Sequence, residues 1–70
     1  MSPAQALKNT EVMLNAIQRH EGGIDPVRVV REVARQDVGM DLRAAENALC
    51  VLFETGQVTT DEDMNVVVKF

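Results

Sequence analysis

Across its 70 residues the chain has no tryptophan and no tyrosine, one cysteine, one histidine and two phenylalanines. Each scarcity closes a route. A lone Cys50 has no internal disulfide partner, and with His20 as the sole imidazole the chain lacks most of the four ligands of a zinc site. No apolar run reaches the length of a signal-peptide core or a membrane span. There is no glycine-rich phosphate loop, no nucleophile with a base in a recognisable pattern, and no carboxylate pair in a pocket-like context. A pocket for small-molecule chemistry is also hard to build in so short a chain. The expectation is a cytoplasmic, non-enzymatic protein with no cofactor, no metal and no membrane association.

What is present is 46% apolar and 26% charged, a globular rather than a disordered composition. A chain of this length makes one domain and buries only about 60% of the surface its unfolded form exposes, so its aliphatic core must be economical or be completed by a partner. The net charge of −4 is unevenly spread. Residues 1–35 carry five bases against four acids, whereas residues 36–70 carry two bases against seven acids. Phosphate neutralisation by Lys and Arg supplies most non-specific nucleic-acid affinity, so the second half repels DNA and the first half is nearly neutral to it. No internal repeat, low-complexity stretch or linker interrupts the chain.

Ser2-Pro3 is an N-cap followed by proline at the first helical position, where the missing N–H costs nothing. A 3.6-residue period then puts Leu7, Met13, Leu14 and Ile17 on one side, with Val12 on the polar side, and predicts a helix over about 3–21. Gly22-Gly23 ends it by accepting a left-handed cap. Asp25-Pro26 repeats the cap-then-proline signal and opens a second helix over about 26–37, with Val27, Val30, Val33 and Ala34 inward. "VGMD", residues 38–41, is a tight turn whose Asp41 caps a third helix over about 42–55. There Leu42, Ala45, Leu49, Leu52 and Phe53 form the inward stripe, while Arg43, Glu46, Asn47, Cys50 and Glu54 face out. Gly56 closes that helix. Strands over about 57–60 and 65–70 follow, with Val58, Val66, Val68 and Phe70 on the buried face and Val67 opposite. Ile24 is placed to add a strand stub. The last strand also offers an edge that a second chain can extend, so self-association through it or through the first helix is an open possibility.

Arg28, Arg31 and Arg35, at i, i+3 and i+7, line one edge of the second helix and make the only basic stripe in the protein. Its ordinary reading is a solvated edge partly paired with Glu32 or with acids elsewhere; its functional reading is a phosphate anchor, aided by Lys8 or Arg19. His20 reads as a side chain in the last turn of the first helix, where a cation suits the dipole. Cys50, inside "ALCVLF", reads as a small, partly buried hydrophobe rather than a reactive thiol. Asp61-Glu62-Asp63 at the hairpin tip lacks the ligand spacing and glycine of a calcium loop and reads as a solvated turn.

"GGIDP" between the first two helices, "VGMDLRAAENALCVLFETG" as turn plus third helix, and "QVTTDEDMNVVVKF" as a terminal hairpin together resemble the winged helix-turn-helix family over nearly the whole chain. The resemblance implies an α+β fold, a three-helix core with a hairpin wing. It also implies that the third helix is the recognition helix, with Arg43 and Asn47, and Cys50 as a further candidate, facing the major groove beside Glu46 and Glu54. Family wings that grip phosphate carry bases at the tip, whereas this one carries three acids. Two functions stay open. One is a small DNA-binding transcriptional regulator, acting as a dimer and anchored by Arg28, Arg31, Arg35, Arg43 and Asn47. The other is a protein-binding adaptor or inhibitor that docks Glu46, Glu54, Asp61, Glu62 and Asp63 on a basic protein.

Overall fold

In the computed structural model residues 2–37 and 39–69 are described, and they form three helices followed by a two-stranded antiparallel hairpin. This is the α+β arrangement expected, and it is compatible with the winged-helix resemblance. Helix α1 runs Pro3–Gln18, with Ser2 Oγ accepting from the Gln5 N–H at 3.2 Å and Pro3 in the first turn. It ends before Glu21, where the sequence placed its stop. The His20 N–H donates to Ile17 O, and the Gly23 N–H closes a tight turn on His20 O. Gly23, at φ +89°, takes the left-handed backbone here, several residues beyond the last helical residue.

Helix α2 runs Pro26–Gln36. Asp25 Oδ1 accepts from both the Val27 and Arg28 N–H groups, at 2.9 and 3.2 Å, satisfying two of the free donors at the helix start. The connection to helix α3, Leu42–Glu54, is held by Asp37, whose Oδ1 accepts from Gly39 N–H at 2.9 Å, and by Asp41, whose Oδ1 accepts from Ala44 N–H at 2.8 Å. Met40 is almost wholly buried between them. The end of α3 is a Schellman motif: the Gln57 N–H donates to Leu52 O, the Gly56 N–H donates to Phe53 O, and Gly56 sits at φ +75°.

Strands β1, Val58–Thr60, and β2, Val66–Val68, pair with Val58 opposite Val68 and Thr60 opposite Val66. Ile24 does supply a strand stub. Its N–H donates to Val66 O at 3.1 Å, and the Val66 N–H donates back at 2.7 Å. The edge that the last strand was expected to offer is thus covered at Val66, which is paired on both sides.

Met13, Ile17, Val29, Met40, Leu52 and Val66 form the fully buried centre. Several inward assignments fail. Leu7 is 63% exposed, and Phe53 lies at the surface. Val27 and Leu42 are also exposed, while Val12, assigned to the polar side, packs half-buried against the core. In α2 the buried arc is Val29, Val30 and Val33. Val27 and Val29 stand about 200° apart on the wheel, so burying one turns the other out. Val67 is half-buried rather than exposed, because Gly23 comes against it. Two expectations, Phe70 on the buried strand face and Val38 in the turn, lie outside the described residues. No helix among the described residues is long and apolar enough to cross a membrane.

Candidate interaction surface

The basic stripe is where the sequence placed it, on the exposed side of α2. Its pairing is not. Glu32, an expected partner, instead meets His20, its Oε2 lying 3.0 Å from His20 Nε2. His20 reaches it because the chain has already left α1 at Gln18, so it stands beyond the helix rather than in its last turn. Among the described residues this is the one contact within 4.0 Å between a basic side chain and a carboxylate, and Arg28, Arg31 and Arg35 have no carboxylate that close. The three guanidinium groups border a shallow depression of about 410 Å³ that Asp25 and Glu32 also line.

A second, larger depression of about 450 Å³ lies between α2 and α3. Val30 and Leu49, each 7% exposed, make its floor. Its lips are Val27, 58% exposed, and Leu42, 52% exposed, joined by the exposed Cys50. Arg31 stands on the α2 rim and Glu46 on the α3 rim. The groove follows from the local folding of both helices. Asp25 and Asp41 start α2 and α3 at Pro26 and Leu42, and the apolar first-turn residues Val27 and Leu42 project beyond the core that Val29 and Ala45 fill.

Cys50 is thus exposed on a groove wall, not a partly buried hydrophobe.

The α3 residues implied by the winged-helix resemblance, Arg43, Asn47 and Cys50 beside Glu46 and Glu54, are all exposed and share the outward face of that helix at i, i+4, i+7, i+3 and i+11. Arg43 and Asn47 border a different hollow of about 250 Å³, shared with Gln5 and Asn9 of α1. Glu46 and Cys50 border α2 instead. The outer side of α3 therefore separates the Arg43 and Asn47 pair from the α2 arginines, and of the α2 stripe only Arg31 shares the apolar groove with an α3 residue.

The acidic tip also divides. Asp61 Oδ1 accepts from the Asp63 N–H at 2.9 Å and the Asn65 N–H at 3.0 Å, and Met64 takes φ +65° in the turn so closed. Asp61 builds the loop through that oxygen. Glu62 and Asp63 point to solvent with Glu46 and Glu54 likewise exposed on α3.

Two features escaped the sequence reading. Asn9, 5% exposed, is a buried polar residue in α1 whose Oδ1 accepts from Gln5 Nε2 at 3.0 Å; nothing in its spacing marks it. The exposed Val27 had a signal, since four valines crowd a helix whose buried arc holds three. Compared with protein-family models, with curated proteins and with solved structures, the chain has no match in any of the three.

Proposed function

We propose that the chain is a small, non-catalytic protein-interaction module of winged-helix type, whose α2/α3 groove receives an apolar surface of a partner. The observation that carries this reading is the exposure of Val27 and Leu42 on either side of the Val30 and Leu49 floor. Single exposed apolar residues are ordinary, but a concave cluster of them rimmed by charge is what interaction sites present. Glu46, Glu54, Glu62 and Asp63 weigh the same way, since they put acids on the helix and hairpin that a DNA-binding winged helix would lay on phosphate. Leu42→Asp and Val27→Asp, used as baits in affinity capture from the native cell, lose the wild-type partner. Retention of that partner by both variants overturns the reading.

One observation favours a second reading, a DNA-binding regulator working in the cytoplasm. Arg28, Arg31 and Arg35 stand exposed with no acid within 4.0 Å among the described residues, ready to meet phosphate. Arg43 and Asn47 would then read base edges, as the family resemblance implies. Fluorescence anisotropy with a duplex at low salt tests it: binding appears and is abolished when the three α2 arginines are reversed to Glu. Absence of binding at tens of micromolar, or binding indifferent to the reversal, removes it.

A further inference from the structure

We infer that the occupant of the α2/α3 groove is a second copy of this chain, related by a two-fold axis running along the groove so that α2 of each protomer faces α3 of the other. The inference rests on the groove being an interaction site, and it names the partner from charge. The two rims have opposite sign: Arg31 on α2 and Glu46 on α3. A complementary surface must carry an acid, then an apolar centre, then a base. The groove itself carries that order, and a two-fold axis along it reverses the order on the facing copy. Arg31 then meets the partner's Glu46, and the pair occurs twice.

The same charges exclude the other face-to-face arrangements. Setting α2 on α2 would oppose Arg28, Arg31 and Arg35 to their own copies, and setting α3 on α3 would oppose Glu46 to Glu46, which suppresses both registers. Val27 of each protomer then lies against Leu42 of the other, on either side of the Val30 and Leu49 floor, so that both lips leave water. An interface at the small end of the specific range, about 600 Å² per partner, would hide roughly an eighth of the 4809 Å² surface of this chain, and we take the association to be micromolar. Cys50, exposed on the groove wall, is covered in the pair and reports on it.

Sedimentation velocity on the full chain, with Arg31→Glu, Glu46→Arg and the double variant, tests this directly. Wild type shifts from monomer to dimer as concentration rises. Each single charge reversal weakens the dimer by about tenfold or more, and the double reversal restores it because the pair is remade with exchanged partners. In parallel, the rate of Cys50 modification by a disulfide reagent falls as wild-type concentration rises and stays constant for Arg31→Glu. A wild type that remains monomeric at about 1 mM, far above a micromolar dissociation constant, overturns self-pairing. So does a dimer that both single reversals leave intact. Neither result touches the groove reading, which falls only if Leu42→Asp and Val27→Asp keep the captured partner.

Discussion

Gly23 lies so close to Val67 that a Cβ added to the glycine would stand 2.8 Å from Val67 Cγ1, with Asn65 Cβ at 3.1 Å and Val66 O at 3.3 Å. The turn after α1 is thereby pressed against the hairpin, and Ile24 can exchange both backbone hydrogen bonds with Val66. Space and backbone sign act together, since φ there is +89°.

Gly23→Ala is expected to destabilise the fold by about 1–3 kcal/mol, combining a strained left-handed backbone with a clash against Val67 Cγ1, which belongs to a stiff β-branched side chain. Gly22→Ala serves as the control. Nothing lies within 4 Å of a Cβ there, so its stability stays within about 0.5 kcal/mol of wild type. Urea unfolding followed by circular dichroism distinguishes the two, and equal effects would remove the close-approach account.

Asp61 should behave unlike its neighbours. Asp61→Ala removes the acceptor of two backbone N–H groups and costs about 1–2 kcal/mol, whereas Glu62→Ala and Asp63→Ala leave stability nearly unchanged. Urea midpoints give the comparison. Three equal midpoints would mean that the Asp61 loop bonds contribute nothing.

The exposed lips of the groove and the buried core should respond in opposite ways to truncation. Met13→Ala, at a fully buried position, costs about 2–5 kcal/mol. Leu42→Ala and Val27→Ala cost under about 1 kcal/mol because water already reaches both side chains. A thermal melt showing Leu42→Ala as damaging as Met13→Ala would place Leu42 in the core after all.

The helix caps offer a graded series. Asp41→Ala removes one N-cap bond and costs about 1 kcal/mol. Asp25→Ala removes two and lies toward the upper end, near about 2 kcal/mol. Pairing with His20 contributes less: Glu32→Gln costs under about 1 kcal/mol, since both side chains remain about a third exposed. Denaturant titration of the three variants checks the ranking, and an Asp25→Ala variant indistinguishable from wild type would refute it.

The sequence by itself determined the order and kind of the elements, because those are set by short-range chemistry. Ser2-Pro3, Asp25-Pro26 and Asp41 start helices by accepting from backbone donors a few residues on, and Gly56 stops one by taking a backbone that other residues resist. Residues in direct sequence reach settle such choices. The exposed α2 arginines were legible for the same reason, as a spacing along one helix.

Which side of each helix faces inward was decided only by tertiary packing. Helix α2 offers two overlapping valine arcs, and α1 could bury Leu7 or Val12; period alone does not choose between them. The choice came from the neighbours: Val29 turned inward and Val27 outward, and Ile24 took the strand edge beside Val66. The groove between α2 and α3 is a product of that choice. It joins Arg31 to Glu46 across 15 positions of sequence, and no pattern within one helix records a surface made by two.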